Sequence, residues 1–562
     1  MSAARARLRV GVVVGCAFIT LAVPLRQAAR ALPGSEAGFE WVEATIEEIH
    51  GAFEDGSLDC ESLVRGYTQR IAAYDNAGPS LQSVISVDAD AAAEAMALDA
   101  AFEHGGPVGP LHCVPIVLKD NIDTYDLPTT AGSRSLESAR PPDDAFIVAR
   151  LRAAGALVLG KANMDEFAMG FKGSSSLGGQ VRNPYDLTRG PGGSSSGTGA
   201  AVAASLATAG LGTDTGGSIR VPSSVEGLVG IRPSLRLLSQ DGVIPLAHFQ
   251  DAVGPMCRTV QDCAALLTVM TGFDPGPFSG QNTEALQRDD EAVAISSEAD
   301  YLAETGLAPG YRYTDALDAD GLRGARIGVV RALFGPDPEV RGVMEEAIQA
   351  MREAGATVED VVIPDLSTIT GYASVSRWEF RDHLTQYLQS WPSDQDGHAR
   401  TFEEVALSLE YETERALNFL DYGVSGAARY MNPDYERNTH ERSDYVGPRV
   451  LAAMNHTDLA GTQLGQPYDA LLYPSLQSPP AVGGPPTTGP NNRLSPFTGL
   501  PALSMPAGFT VATPERPALP IGLELLGREF AESTLIRLAY GYQEVVKGTL
   551  LERQAPATTP EL

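Results

Sequence analysis

Cysteine and basic residues are scarce in this sequence of 562 residues. Its five cysteines include no C-x-x-C pair and no zinc-type cysteine–histidine spacing, so we expect no metal site. We expect free, buried thiols, although a bond between Cys257 and Cys263 stays open. The 41 Lys and Arg residues face 71 Asp and Glu residues, and the resulting net charge of −30 repels phosphate backbones. Nucleic acid is therefore not expected as a partner.

Long apolar runs are also rare, and the one near the amino terminus is too short to span a membrane. It covers residues 10–25 behind three arginines, whereas a spanning helix needs about 20 residues. Ala29-Arg30-Ala31 follows and fits the small-residue pattern of a signal cleavage site. Residues 1–31 are therefore predicted to be the secretory signal of an exported protein, periplasmic or secreted. An uncleaved membrane anchor is the alternative, and after signal removal we expect no stable membrane span.

Two clusters of glycine and serine stand in the middle of the chain. They are Gly192-Gly193-Ser194-Ser195-Ser196-Gly197 and Asp214-Thr215-Gly216-Gly217-Ser218, and the Ala-rich segment 200–209 between them is typical of a buried helix. Glycine beside serine lets several backbone N–H groups turn toward one point. A nucleophilic serine needs such donors because they stabilise its oxyanion. Taken singly, each cluster fits a helix-capping loop equally well.

A lysine at the end of an apolar run favours the catalytic interpretation. Residues 114–118 are all apolar and are predicted to form a buried strand, and Lys119 follows directly. Partial burial disfavours the ammonium form, so it lowers the pKa of the amine and makes it a base. The alternative is a lysine that extends from the strand end into solvent.

Together these segments resemble the amidase signature family of serine hydrolases. The Lys119-Asp120-Asn121 segment and the two glycine–serine clusters occur in the family's usual order, and so do several further motifs. The further motifs are Arg182-Asn183-Pro184-Tyr185-Asp186, Gly242-Val243-Ile244-Pro245-Leu246, Gly254-Pro255-Met256 and Gly499-Leu500-Pro501-Ala502. The resemblance covers residues 40–272 and 465–546, and an ordered set of motifs is far more specific than any one pattern.

The resemblance implies a Ser-Ser-Lys triad that needs no cofactor. Ser218 is expected to be the nucleophile, Ser194 the bridging serine behind a cis Gly193–Ser194 peptide, and Lys119 the base. A hydroxyl needs a base within hydrogen-bond reach, which here is a neutral amine rather than an imidazole. Asp214 and Arg220 are expected to orient the nucleophile loop. The backbone N–H groups expected to hold the oxyanion belong to Thr215, Gly216, Gly217 and Ser218.

The first glycine–serine cluster also fits a different catalytic motif. Residues 193–197 match G-x-S-x-G, the nucleophile elbow of α/β-hydrolases, with Ser195 as nucleophile. That elbow directly follows a hydrophobic strand, whereas residues 183–191 have the composition of a loop. We therefore reject the elbow interpretation.

Substrate contacts are less clearly marked in the sequence. Met169 and Gly170, in a family-like segment, and Thr130, in a loop expected at the pocket rim, are the candidates. The variable segment of the family corresponds to residues 374–445. Its aromatic side chains are expected to lie in the core rather than in the substrate pocket, with odds of about three to one. Cys113 stands where most members have glycine, which is expected to alter packing behind the Lys119 strand. A second departure from the family pattern, near Pro496, leaves the substrate open.

The order of predicted elements indicates an α/β fold. Strands are expected at 156–160, 325–330, 358–363, 469–474, 502–506 and 519–525, and helices at 146–154, 260–271, 339–354 and 532–546. With the resemblance, this predicts a single large mixed β-sheet covered by helices on both faces, the amidase signature fold. The domain would span residues 32–551, with its signature core near 110–272. Residues 552–562 would form a disordered tail.

The leading hypothesis is an amidohydrolase that cleaves a carboxamide C–N bond of a small or peptide amide. It would act through an acyl-enzyme on Ser218 and release ammonia or an amine. One alternative is the glutaminase (transamidation) subunit of a tRNA-dependent amidotransferase, which the expected export and the acidic charge oppose. Another is a non-catalytic secreted scaffold of the same fold, which the presence of all three triad residues opposes. The oligomeric state stays open between a monomer and a homodimer.

Overall fold

Eleven strands form one sheet in the part of the chain that the structure describes. The structure is a computed structural model and describes residues 38–281, 295–392 and 398–562. The strands are β1 Val84–Val87, β2 Pro115–Lys119, β3 Leu157–Ala162, β4 Ser174–Ser175, β5 Gly179–Gln180, β6 Ala209–Asp214, β7 Val229–Arg232, β8 Ala252–Cys257, β9 Arg326–Val329, β10 Thr357–Asp360, β11 Ala470–Pro474, β12 Ala502–Phe509 and β13 Pro520–Leu526. Their order in the sheet is β1-β3-β2-β6-β8-β7-β12-β13-β11-β9-β10, and β4 and β5 pair separately.

The pairing directions make this sheet mixed, as predicted. β2 runs parallel to β3 and β6, and β9 runs parallel to β10 and β11. The central strands are β6, β8, β7, β12 and β13, and each of them runs antiparallel to its neighbour within this group. Because parallel strands end at the same edge of a sheet, the residues that follow β2 and β6 are brought together.

Helices cover both faces of the sheet, which confirms the predicted fold. They are α1 Ile46–Glu54, α2 Cys60–Arg70, α3 Ala91–Gly105, α4 Phe146–Ala153, α5 Ser196–Ala203, α6 Arg220–Val225, α7 Val260–Met270, α8 Glu298–Thr305, α9 Pro338–Glu353, α10 Leu366–Ile369, α11 Ser376–Ser390, α12 Phe402–Ser408, α13 Arg415–Ala427, α14 Pro433–Glu436, α15 Arg442–Asn455, α16 Leu494–Thr498 and α17 Glu532–Val546. Alternate side chains of β2 face opposite layers. Ile116 and Leu118 belong to the apolar cluster of α4 and α7, and Val117 belongs to that of α2 and α5.

The expectation of free thiols throughout is wrong for two of the cysteines. Cys60 at the start of α2 and Cys113 just before β2 form a disulfide across 53 residues of sequence. Sequence spacing does not reveal this pair, because the two cysteines meet only when α2 packs against the start of β2. Cys113 has a φ of +51°, a conformation that favours glycine, the residue that the resemblance leads us to expect at this position. Cys257 and Cys263 are free and buried, as expected.

The carboxyl-terminal tail is bound to the domain and is not the disordered segment that its composition predicts. Arg70 donates hydrogen bonds to the carbonyl oxygens of Thr559 and Pro560, at 3.0 Å each. The Tyr185 hydroxyl donates to the carbonyl oxygen of Gln554 at 2.6 Å. The tail supplies mainly backbone acceptors to these side chains, which amino-acid composition does not record.

The predicted secretory signal, residues 1–31, lies outside the described residues. Export therefore stays a prediction from the sequence. Within the described ranges, no helix is both long enough and apolar enough to cross a membrane.

Candidate active site

The three segments expected to carry the triad meet at one edge of the sheet. Lys119 is the last residue of β2, and the parallel neighbour β6 ends at Asp214. The nucleophile loop, residues 215–219, therefore begins next to Lys119. Ser194 comes from the loop before α5, and the Gly193–Ser194 peptide is cis, as predicted.

Lys119 is completely buried and directly contacts the expected bridging serine. Its Nζ donates hydrogen bonds of 2.7 Å to Ser194 Oγ and 2.7 Å to Thr213 Oγ1. Burial lowers the pKa of the Lys119 amine to about 7, against the opposing influence of the carboxylates of Asp165, Asp214 and Asp251. Near neutral pH a large fraction of the amine is therefore uncharged and able to accept a proton.

Ser218 borders a cavity, whereas Ser194 is buried. Ser218 is 5% exposed and Ser194 has no exposed surface. The Ser195 backbone N–H donates a hydrogen bond of 3.2 Å to the carbonyl oxygen of Ser218, which joins the two loops. The Ser195 hydroxyl is buried and bonds the backbone of Thr213, with 3.3 Å to its N–H and to its oxygen. This position agrees with the rejection of Ser195 as nucleophile.

One of the four expected oxyanion donors is bonded within the loop. The Gly217 N–H donates to Asp214 Oδ1 at 2.7 Å, and the Ile219 N–H donates to Asp214 Oδ2 at 3.2 Å. The Gly217 N–H is thus directed at a carboxylate and not at the cavity. The expected donor set is thereby reduced to Thr215, Gly216 and Ser218.

Asp214 anchors the nucleophile loop through a buried ion network, as expected from the sequence. Arg220 Nε lies 3.0 Å from Asp214 Oδ2, and Arg220 Nη1 lies 2.7 Å from Glu524 Oε1 on β13. The Tyr473 hydroxyl also donates to Glu524 Oε1, at 2.8 Å. Burial alone would raise the pKa of Asp214, but Arg220 and Arg232 outweigh it and hold this pKa at about 2. Asp214 is therefore charged at every working pH.

Ser218 lines a cavity of about 510 Å³, and two of the three predicted substrate contacts line it with Ser218. Met169 and Gly170 form part of its wall. Thr130 does not: it is buried, and its hydroxyl donates to Asp120 Oδ2. Polar, aromatic and small side chains from other segments complete the wall, among them Gly216, Gln250, Ala373, Tyr422, Asn492, Arg493 and Phe497.

The variable segment contributes mostly core and a small part of the cavity wall. Phe380, Phe402 and Phe419 are buried together, with ring centroids 5.5–6.3 Å apart. Tyr422 borders the cavity. The prediction that the aromatic residues of the variable segment lie mainly in the core is confirmed.

Sequence reasoning missed three polar residues at the site. Thr213 holds Lys119, while Gln250 Nε2 and Asn492 Nδ2 donate to the carbonyl oxygens of Thr215 and Gly216. Thr213 lies only one residue before the glycine–serine cluster, so its place in the sequence was a usable signal. Gln250 and Asn492 reach the loop from distant segments and carry no local signal of that role.

One group of acidic residues in the described part of the chain is close enough to hold a cation. It consists of Asp88, Glu94 and Asp126. Arg152 donates hydrogen bonds to Glu94 and to Asp126, so a cation already occupies this position. None of the three lines the cavity of Ser218.

Comparison with known proteins gives consistent matches. The model of the family Amidase matches residues 62–536. A glutamyl-tRNA(Gln) amidotransferase subunit of Symbiobacterium thermophilum is 35% identical over 534 residues, covering 91% of this chain and 98% of that protein. The structure of peptide amidase from Stenotrophomonas maltophilia has a TM-score of 0.76 at 32% identity and covers 93% of this chain and 100% of its own. The structure of the corresponding amidotransferase subunit from Thermotoga maritima has a TM-score of 0.63 at 25% identity, covering 92% and 99%.

Proposed function

The chain belongs to the amidase family of hydrolases, and we propose that it cleaves a carboxamide C–N bond through an acyl-enzyme on Ser218. The observation that carries this proposal is the position of Lys119. A desolvated amine lies 2.7 Å from Ser194 Oγ, beside the loop that presents Ser218 to a cavity. A nucleophilic hydroxyl needs such a base, directly or through one relay.

The proposed reaction begins with neutral Lys119. Lys119 accepts the proton of Ser194, and Ser194 accepts that of Ser218 as Ser218 Oγ attacks the carboxamide carbon. Backbone N–H groups of the loop, those of Gly216 and Ser218 among them, stabilise the tetrahedral oxyanion. The proton returns through Ser194 to the nitrogen, the C–N bond breaks and ammonia or an amine leaves. Water, activated by the same relay, then hydrolyses the ester to the acid.

Our main proposal for the substrate is a small or peptide amide, processed by the chain without partner subunits. The likeness to peptide amidase supports it, since that structure is matched over its full length. The cavity also fits, because about 510 Å³ is enough for a short peptide amide. Aromatic, amide and hydroxyl side chains form its wall, which suits a polar backbone with apolar side chains.

A second candidate, which the relatives found by sequence support better than the first, is the glutaminase (transamidation) subunit of a tRNA-dependent amidotransferase. Relatives named as one subunit of glutamyl-tRNA(Gln) amidotransferase support it, with 35% identity over nearly their whole length. In this case the amide would be that of glutamine, and full activity would require partner subunits.

Ammonia release from a substrate panel separates these candidates. The panel contains glutamine, simple primary amides and dipeptide amides, each incubated with the isolated chain. Fast release from peptide amides supports the first candidate, and release from glutamine only after addition of partner subunits supports the second. Ser218→Ala and Lys119→Met should abolish release in either case. A folded chain that releases no ammonia under any condition would support the non-catalytic scaffold.

We also propose that the protein is exported. The disulfide between Cys60 and Cys113 supports this, because disulfides persist in oxidising compartments and are rare in the cytosol. Fractionation of the source cells, with amino-terminal sequencing of the mature protein, tests both the compartment and cleavage near residue 31. Light scattering of the purified protein decides between a monomer and a homodimer.

A further inference from the structure

Gln250 is a buried side-chain amide beside the nucleophile loop. It has no exposed surface, and its Nε2 donates a hydrogen bond of 2.9 Å to the carbonyl oxygen of Thr215. Its Oε1 accepts from the Val375 backbone N–H at 2.9 Å and from Arg442 Nη1 at 3.1 Å. Because a backbone N–H and a guanidinium can only donate and a carbonyl can only accept, these partners fix the orientation of the Gln250 amide.

The bond to Thr215 fixes the direction of the next backbone amide. In a planar trans peptide, the C=O of one residue and the N–H of the next point in opposite directions. The Thr215 oxygen points to Gln250, so the Gly216 N–H points away from it. Gly216 is one of the donors proposed for the oxyanion, and donors that are aligned before the reaction contribute most.

Asn492 fixes the following peptide in the same way. Its Nδ2 donates to the carbonyl oxygen of Gly216. At the opposite end of that peptide group, the Gly217 N–H donates to Asp214 Oδ1 at 2.7 Å. Asn492 also packs closely against Gly217, because a Cβ atom added at Gly217 would lie 2.9 Å from Asn492 Cβ. The Thr215–Gly216 and Gly216–Gly217 peptide groups are therefore each held by a side-chain amide.

Arg442 connects Gln250 to the wall of the substrate cavity. Besides Gln250, its Nη1 donates to the carbonyl oxygen of Ala373 at 3.0 Å. Its guanidinium carbon lies 4.5 Å from the ring centroid of Phe497. Ala373 and Phe497 both line the cavity that contains Ser218. Arg442 therefore contacts both Gln250 and two residues of the cavity wall.

We propose that Gln250 and Asn492 are positioning residues for the oxyanion, and that Gln250 makes the alignment of the Gly216 amide depend on the cavity wall. The inference rests on the proposed function, since it takes Ser218 as the nucleophile. It assigns to Gln250 a role in the transition state and none in ground-state binding.

Gln250→Met tests this role, because it keeps the size of the side chain and removes both sets of hydrogen bonds. We expect kcat to fall about tenfold to 100-fold, less than for loss of a whole oxyanion donor, with KM changed by no more than about twofold. A substrate-derived aldehyde, which forms a tetrahedral adduct on a serine nucleophile, should lose affinity by the same factor as kcat. The carboxylic acid product should bind as it does to the wild type.

Gln281→Met is the matched control. Gln281 is also fully buried, and its side chain bonds the backbones of Leu237, Gly272 and Asp274 away from the cavity. The Gln281→Met variant should have a lower Tm, as Gln250→Met should, but an unchanged kcat. If Gln250→Met does not fold, Asn492→Ala replaces it with the same expected loss of kcat. Unchanged kcat in the folded variant, or an equal loss in Gln281→Met, overturns the inference, whereas an active Ser218→Ala overturns the proposed function instead.

Discussion

Lys119 Nζ lies 2.7 Å from Ser194 Oγ, and neither side chain has any exposed surface. A proton can pass between them without entering bulk water. The uncharged amine is the form that can accept this proton, so the protonation state of one lysine should govern the rate.

Activity should rise with pH through the titration of Lys119. Burial lowers the pKa of this amine to about 7, so kcat/KM should be small at pH 5.5, half-maximal near pH 7 and level above pH 8. Thr213→Val removes a hydroxyl that accepts from the ammonium and should move the midpoint to lower pH. Initial rates of ammonia release across this range provide the measurement. A profile that is flat from pH 5.5 to 9 would exclude Lys119 as the base.

Reduction of the disulfide should destabilise the fold. The Cys60–Cys113 bond closes a loop of 53 residues, and such loops contribute about 2–4 kcal/mol by restricting the unfolded chain. We expect Cys60→Ser with Cys113→Ser, or wild type in a thiol reductant, to unfold at lower denaturant concentration. The Cys257→Ser variant changes a free buried cysteine, so a reductant should still lower its unfolding midpoint as it does for the wild type. Equal unfolding midpoints with and without reductant would contradict the prediction.

Glu226 should limit stability at alkaline pH. It is completely buried, neither carboxyl oxygen has a hydrogen-bond partner among the described residues, and burial raises its pKa well above the usual value. The folded protein thus holds a proton that the unfolded chain releases above about pH 4.3. The contribution of this proton to the free energy of unfolding is fully present below that pH, and it is lost as the pH rises toward the raised pKa of Glu226.

Substitution of Glu226 by a neutral side chain tests this linkage. Glu226→Gln should raise Tm relative to wild type at pH 8.5 and by much less at pH 4. The exposed Glu515→Gln should leave Tm unchanged at both values. Calorimetry at the two pH values decides, and an increase of the same size at both would contradict the linkage.

Arg493 should favour amides that carry an anionic group. Of the described residues that line the cavity, it alone bears a charge. A charge-assisted hydrogen bond contributes about 1.5–3 kcal/mol, which corresponds to roughly tenfold to 100-fold in KM. For two amides that differ only by a carboxylate, wild type should have the lower KM for the anionic one, and Arg493→Met should remove the difference. Equal KM values for the pair in wild type would refute this preference.

The sequence predicted those parts of the site whose signal is local. Lys119 follows an apolar run and Ser218 ends a glycine–serine cluster, which made both candidates, and the family resemblance implied their roles without tertiary information. The predicted strand 114–118 is Pro115–Lys119 in the structure, because a run buried on both faces does not mark its own ends. Seven of the eleven described strands of the sheet were predicted from apolar runs of this kind, whereas β1, β6, β7 and β8 were not.

Contacts between segments that are distant in the sequence could not be predicted from it. Asn492 and Gly216 are 276 residues apart, and only the strand order brings them together. The Cys60–Cys113 bond likewise depends on how α2 packs. Thr130 illustrates the opposite error: a family-like position suggested a substrate contact, yet its hydroxyl is bonded to Asp120. Side-chain direction is decided by neighbours that a linear pattern does not specify.

The ion pair between Arg220 and Glu524 has a consequence for biosynthesis. Its partners are 304 residues apart, so the ribosome releases the whole glycine–serine region long before β13. Until β13 emerges, Arg220 lacks its second carboxylate and the centre of the sheet is incomplete. Chains that end before β13 therefore carry every triad residue but lack the carboxylate of Glu524 that holds Arg220.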